Sequence, residues 1–287
     1  MGDGGIFEPE ALLGGGAILD KGWSMIYPIS TKTCTEAWLK AASLLLSLRG
    51  YSAHNLILDI EDPITLGPPD KHIVSAMDAF LAAHGADPLA TVAGTIFPAS
   101  YYRQRGAKGV LEDFPNKIYP KIRKNWGTYA GRMLRRDGKN GMPIKPLEIL
   151  INKLRTQTKL RGPLRNIYEL GFIDISEDLP IYDPRVDARR TLNQPCLSHL
   201  SFKLIGPNEL ALTALYRSHY YMQRTLGNLL GLSQLLFFVA AETGLRPKGL
   251  ICHSTFARLD TDAGWSVSEI KSIIGNCNQL WKEQAVS

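Results

Sequence analysis

The hydrophobic and polar positions of the chain follow two periods, and each period predicts a type of element. In residues 35–50 and 72–85, apolar side chains recur every three or four positions, which is the spacing of one helix face, and a glycine ends each segment. Between them, residues 54–63 form an apolar run that ends at a proline, as expected of a strand. Helices and strands therefore mix from the start of the chain.

The second half of the chain predicts a β-hairpin followed by a buried helix. Residues 197–206 and 209–218 alternate apolar with polar positions on either side of a Gly-Pro-Asn turn. Further segments with helical periodicity are residues 146–157, 227–245 and 267–283. The longest apolar run, residues 229–241, is far shorter than the roughly 20 residues that cross a bilayer. We therefore expect a buried helix and no membrane segment.

Composition is that of an ordinary globular chain. Its 287 residues are 45% hydrophobic and 21% charged, which allows a sizeable core and argues against disorder. Four cysteines without any CxxC pairing predict reduced thiols and no structural metal. The N-terminal residues show neither the basic region nor the apolar core of an export signal. We expect a cytoplasmic protein.

The net charge of +6 has two interpretations. Residues 117–145 are basic with interleaved aromatic residues, a pattern that nucleic-acid surfaces also show. The overall excess of positive charge is modest, however, and no known nucleic-acid-binding motif is present. The phosphate of a small ligand would use the same charges. We therefore favour a small phosphorylated ligand over nucleic acid.

Cys196 stands at an unusual place, directly after Pro195 and at the start of a predicted strand. Proline fixes the chain just before it, and strict alternation would place Leu197, His199 and Ser201 on one face of the strand. A thiol at the entrance of a strand can face a cavity. The alternative is that Cys196 is a small buried hydrophobic residue.

The next predicted strand ends in Arg217 and Ser218, and Asn228 follows near the start of the buried helix. A guanidinium and a hydroxyl can together hold a phosphate. An amide offers both a donor and an acceptor, which suits O4 and N3–H of a uracil ring. Each residue alone is common at a surface, a turn or a helix cap, so the order of the three after Cys196 is the specific feature.

This order, Pro-Cys before a strand, then Arg-Ser, then Asn on an apolar helix, resembles the thymidylate synthase family from about Trp38 to Asp260. Supporting segments are "GTYAGR" (127–132), the helix 146–157 and "DPRVD" (183–187). The resemblance implies an α/β (α+β) fold whose mostly antiparallel sheet carries helices on one face and forms a homodimer through the other. It implies one domain over residues 1–287, of which residues 1–30 are a poorly matched extension.

The resemblance also implies a reaction on a pyrimidine nucleoside monophosphate. Cys196 would add to C6 of the base as a thiolate, and C5 would then attack a one-carbon unit carried by 5,10-methylenetetrahydrofolate. Arg217 would favour the thiolate and hold the phosphate, so we expect the pKa of Cys196 to lie below the ordinary value of about 8.5. Tyr129 would line the pyrimidine pocket.

By the same resemblance Ser218 would bind the phosphate, Asn228 would bind the base, and Arg161 or Arg165 would reach the phosphate of the partner subunit. His199 and His219 flank the candidate site and could supply acid-base groups, although histidines in strands are more often structural.

Four residues depart from the family pattern. Tyr220 replaces the aspartate that helps to hold the folate, and Ser43 replaces the glutamate that organises proton transfers. Phe256 and Arg258 stand where a His-x-Tyr pair binds the sugar. Two hypotheses follow: a one-carbon transferase acting at C5, or a nucleotide-binding protein that keeps the fold without folate-dependent turnover.

Overall fold

A computed structural model describes residues 25–122, 127–137, 142–172, 196–261 and 264–285 of the chain. Its strands are β1 (Tyr27–Thr31), β2 (Ser52–Ile60), β3 (Arg136–Asp137), β4 (Pro143–Ile144), β5 (Glu169–Gly171), β6 (Leu197–Ile205), β7 (Glu209–Tyr216), β8 (His219–Tyr220) and β9 (Arg246–Arg258). Its helices are α1 (Cys34–Ser47), α2 (Pro68–Ala83), α3 (Leu89–Ile96), α4 (Ala99–Lys108), α5 (Tyr119–Ile122), α6 (Tyr129–Leu134), α7 (Pro146–Gln157), α8 (Leu226–Thr243) and α9 (Val267–Ala285). A 3₁₀ turn spans Arg49–Tyr51, and π-helical segments span Gly109–Ile118 and Tyr221–Thr225.

The predicted helices form where the periodicity placed them. Thr33 caps α1 by accepting a hydrogen bond from the Glu36 N–H, and the apolar face of α1 is buried. Helix α7 has the predicted bounds. Helix α8 ends at Gly244, whose φ of 70° is the left-handed conformation that glycine adopts at a helix end.

One large sheet organises the chain, in the strand order β1-β2-β9-β7-β6-β5, with β8 also paired to β9. Three of its pairs are antiparallel (β2 with β9, β7 with β6, β6 with β5) and three are parallel (β1 with β2, β7 with β9, β8 with β9). The sheet is therefore mixed, not mostly antiparallel as predicted. The physical reason is that α1 connects β1 to β2 and α8 lies between β7 and β9, and a helical crossover brings the later strand back parallel to the earlier one.

Helices α1 and α8 cover one face of this sheet. Alternate residues of the strands point into that face and are buried, among them Leu58, Phe202 and Leu212. The residues between them form the other face, which is half-buried in the described part of the chain, and Ile251 on it is 37% exposed. The segment Tyr221–Thr243 is long and apolar enough to cross a membrane, but 72% of its apolar window is buried inside the fold, as in a core helix.

The start of β6 departs from strict alternation. The register with β7 shifts between Leu197 and His199, so that Leu197 and Leu200 are both buried while His199 and Ser201 lie on the other face. The predicted grouping of Leu197 with His199 was therefore wrong, because a bulge adds one residue to the strand.

The predicted N-terminal extension, residues 1–30, falls only in part within the described residues. Residues 1–24 lie outside them, and Tyr27 to Ser30 belong to the edge strand β1, which pairs in parallel with β2.

Candidate functional site

Cys196 lies directly before β6, where the hairpin fixes its backbone. Its carbonyl oxygen accepts a hydrogen bond of 2.9 Å from the Arg217 N–H, which joins the entrance of β6 to the end of β7. The thiol is half-buried and packs against the core. Pro195 and the "DPRVD" segment lie outside the described residues. The hairpin therefore brings together two of the predicted site residues.

The side chain of Tyr129 contacts the backbone at the start of β6. Its hydroxyl accepts hydrogen bonds from the N–H groups of Cys196 (3.0 Å) and Leu197 (3.1 Å). Burial is the main cause that raises the pKa of Tyr129, to about 12, so the phenol stays protonated at neutral pH. In the same helix α6, Gly131 lets the ring of Tyr119 approach closely, because a Cβ on Gly131 would lie 2.0 Å from a ring carbon.

Burial and nearby cations act in opposite directions on Cys196. Burial is the larger cause and raises the pKa of the thiol above its ordinary value. The guanidinium of Arg217, which also hydrogen-bonds the thiol, and those of Arg258 and Arg224 lower it. The expected depression of the pKa was therefore wrong for this fold, because the sequence shows the neighbouring arginine but not the extent of desolvation.

The other three cysteines differ in their surroundings. All three are free and buried. Burial raises the pKa of Cys252 and of Cys277 to about 12, and that of Cys34 is raised by burial and then by neighbouring acidic groups. Of the four thiols, only Cys196 has arginines among the groups that shift its pKa. Cys196 is therefore the cysteine whose thiolate nearby positive charge favours.

Asn228 and His219 form a buried hydrogen-bonded pair. Asn228 is 6% exposed, and its Nδ2 lies 2.9 Å from Nε2 of His219. Nδ1 of His219 lies 3.0 Å from Oγ of Ser254, and its ring stacks on Tyr216 with 4.0 Å between the centroids. Burial lowers the pKa of His219 to about 3, so the ring is neutral at physiological pH. His219 thus contacts Asn228 and is not poised as an acid or base.

Tyr216 connects this pair to the thiol. Tyr216 is fully buried, and burial is the largest cause that raises the pKa of its hydroxyl. Charge interactions with Cys252, Tyr129 and Cys196 raise this pKa further. Its backbone pairs with Leu197 across β6 and β7. The base-binding candidate and the nucleophile are therefore parts of one neighbourhood.

The structure places the remaining predicted residues as follows. Ser218 is half-buried in the turn after Arg217. His199 lies on the opposite sheet face, with Nε2 2.7 Å from a carboxylate oxygen of Glu169. Arg161 and Arg165 are exposed between α7 and β5, and in the described part of the chain no hydrogen bond or ion pair joins either to the other predicted site residues. The bulge in β6 turns His199 away.

Sequence reasoning missed the cationic rim of the site. The Arg258 guanidinium lies 4.2 Å above the Tyr220 ring and donates to its hydroxyl, at the point where β8 pairs with β9. Arg224 belongs to the π-helical segment and pairs with Asp87 at 3.0 Å. The register of β8 with β9 places Arg258 beside Tyr220, and β9 was not predicted from the sequence.

Acidic and polar residues around the site have partners within the fold. Ser43 accepts a hydrogen bond of 3.1 Å from the Asn278 side chain, so it faces α9. Asp260 is fully buried and accepts from the N–H groups of Met222 (2.8 Å) and Gln223 (3.2 Å). The described residues contain no group of three or more histidine, cysteine, aspartate or glutamate side chains placed to hold a metal ion.

Comparison with known proteins gives one relative and no family. No family model matches the chain. Over 142 residues it is 30% identical to a protein of Methanococcoides burtonii described as "Putative thymidylate synthase". The match covers 50% of this chain and 56% of the relative, so the chain spans about half the length of the relative it matches. The chain is thus similar to a thymidylate synthase-like protein over half its length.

Proposed function

We propose that this chain is a thymidylate synthase-like transferase that acts at C5 of a pyrimidine nucleoside monophosphate such as dUMP and transfers a methyl or hydroxymethyl group. The observation that carries the proposal is the convergence of the Cys196 thiol, the Arg217 guanidinium and the Tyr129 hydroxyl at the entrance of β6. The buried amide of Asn228 in the same neighbourhood and the named relative support it.

The covalent step would use the thiolate of Cys196. Its sulfur forms a bond to C6, and the electron pair of the C5=C6 bond moves to C5 and O4 as an enolate. C5 then takes a proton from solvent or attacks an electrophile. A base removes the original C5 hydrogen as a proton, its electron pair forms the C5=C6 bond again, and the Cys196 thiolate leaves C6. The Arg217 guanidinium lies at the sulfur in the described structure, and in this proposal it stabilises the thiolate.

Arginines at the site support an anionic substrate. Arg217, Arg258 and Arg224 all lower the pKa of Cys196, so the thiol lies in a positive field, although Arg224 is also paired with Asp87. Ser218 follows Arg217 directly and can add a hydroxyl to a phosphate site. A nucleoside, which lacks the phosphate, should therefore bind more weakly than its monophosphate.

The described residues do not fit the family's way of holding folate. The resemblance assigns that task to an aspartate where this chain has Tyr220, and the Tyr220 hydroxyl accepts from Arg258. The name of the relative is consistent with folate use, and 5,10-methylenetetrahydrofolate is our candidate donor by that likeness alone.

The test is hydrogen exchange at C5 without any folate. The wild-type protein should release tritium from C5-tritiated dUMP into water, because exchange needs only the Cys196 adduct. Cys196→Ser should bind dUMP and lose exchange, since a hydroxyl is a far poorer nucleophile at neutral pH. Cys277→Ser, which removes a buried thiol from α9, is the matched control and should keep exchange.

The alternative is a nucleotide-binding protein without turnover. The observation that favours it is that Ser43 replaces the family's glutamate and is hydrogen-bonded to α9. Tight binding of dUMP by the wild type with no exchange over hours would support this alternative and exclude the transferase.

We also propose that the chain forms a homodimer through the half-buried sheet face. Ile57 and Leu215 lie on that face in register with His253 of β9, and Ile251 is 37% exposed beside them. A second copy would cover this apolar patch.

A further inference from the structure

Two buried residues, His219 and Ser254, form a hydrogen-bonded chain that ends at the side-chain amide of Asn228. His219 and Ser254 are both at most 1% exposed. Nδ2 of Asn228 is hydrogen-bonded to Nε2 of His219, and Nδ1 of the same ring is hydrogen-bonded to Oγ of Ser254. In the described part of the chain no other hydrogen bond engages the Asn228 amide, which leaves Oδ1 and the second N–H for a ligand.

The direction of each hydrogen bond follows from the chemistry of the groups. Nδ2 of Asn228 can only donate, so Nε2 of His219 accepts. A neutral imidazole carries its hydrogen on one nitrogen only, and burial keeps this ring neutral. Nδ1 of His219 therefore carries the hydrogen and donates it to Ser254. As an acceptor, the Ser254 oxygen stabilises this tautomer, and the lone pair on Nε2 then favours the amide orientation in which Nδ2 faces the ring.

The ring of His219 cannot easily turn. It lies parallel to the Tyr216 ring within 6°, with 4.0 Å between the centroids. The Tyr221 ring meets it edge-on at 5.6 Å. Both tyrosines are fully buried, so the imidazole is clamped in one plane.

We infer that His219 and Ser254 fix the orientation of the Asn228 amide and thereby make the base site select uracil over cytosine. The inference rests on the proposed function. His219 and Ser254 are positioning residues, because they act on the base through Asn228.

The selection follows from the donor and acceptor pattern of the two bases. Uracil presents an acceptor at O4 and a donor at N3, which match the second N–H and Oδ1 of the amide as it is held. Cytosine presents the reverse pattern and needs the amide turned over. Turning it would place Oδ1 against the lone pair of Nε2, so two acceptors would face each other in a buried site.

The first measurement is the tautomer of His219 itself. Nitrogen-15 NMR of wild-type protein labelled in its six histidines, with the His219 signals assigned from their loss in His219→Gln, should show the hydrogen on Nδ1. Hydrogen on Nε2 would overturn the inference, whatever the protein binds.

The second measurement is the ratio of the dissociation constants for dCMP and dUMP. The wild type should favour dUMP about tenfold or more, the size expected from one mismatched buried hydrogen bond. Ser254→Ala and His219→Phe release the amide, so each should lower the ratio about fivefold or more. The matched control is Ser233→Ala, which removes a hydroxyl from α8, the helix of Asn228, at a residue that is 7% exposed. Its ratio should equal that of the wild type.

The outcomes separate the inference from the function on which it rests. If the wild type binds neither nucleotide, both are overturned. If it favours dUMP and the preference survives in Ser254→Ala, the inference fails while the proposed function stands. Ser254→Ala keeps the test available should His219→Phe not fold.

Discussion

Cys196 is a half-buried thiol whose charge state is set by two opposing effects. Burial raises its pKa above the ordinary value, and three arginines limit the increase. We expect a disulfide reagent to label Cys196 first, with a rate that rises about tenfold per pH unit between pH 7 and 8, because the thiolate fraction does so below the pKa.

Two variants make this measurement specific. Cys196→Ser should abolish the fast phase, and Arg217→Gln should slow it, because the loss of the cation raises the pKa further. A rate independent of pH in this range would mean that the thiolate is already formed. Equal labelling of Cys196 and Cys277 would mean that Cys196 is a structural residue.

At the scale of elements, α8 depends on a close approach to α3. A Cβ on Gly231 would lie 2.7 Å from the carbonyl oxygen of Ala93 and 3.0 Å from its Cα, so the backbone would have to shift. We expect Gly231→Ala to lower the free energy of unfolding by about 1–3 kcal/mol, measured by denaturant titration.

Gly275 in α9 is the matched control. It is exposed, and nothing lies within 4 Å of the Cβ it would gain. Gly275→Ala should raise the free energy of unfolding by up to about 1 kcal/mol, because alanine favours helix. Equal effects of the two substitutions would contradict the packing that we describe between α3 and α8.

Elements with a clean period could be predicted from the sequence, and β9 could not. Helix α7 and the hairpin β6–β7 are local patterns. Strand β9 carries Pro247 and Gly249, which obscure its alternation, and its partners are far away in sequence. Ser254 was consequently missed as part of the site, and Arg258, expected only at the place of the family's sugar-binding pair, was not predicted to act on the thiol. The bulge at Leu197, which turns His199 away, is equally invisible to periodicity.

At the scale of the whole molecule, a second copy of the chain would cover the half-buried sheet face in the proposed dimer. The chain of 31.8 kDa should elute with about twice that mass in light scattering at micromolar concentration. Ile251→Glu should shift the mass to that of a monomer, because it buries a charge in the interface. Ile149→Glu, on α7 and 47% exposed, should leave the dimer intact. A wild-type monomer would exclude the dimer.

The central position of β9 has a consequence for how the protein is made. Strand β9 pairs with β2 on one side and β7 on the other, and about 190 residues separate it from β2 along the chain. During synthesis, β2 leaves the ribosome long before residues 246–258 do, so one of its edges has no native partner for most of translation. Unpaired strand edges promote aggregation. We therefore expect the nascent chain to need a chaperone until β9 is inserted.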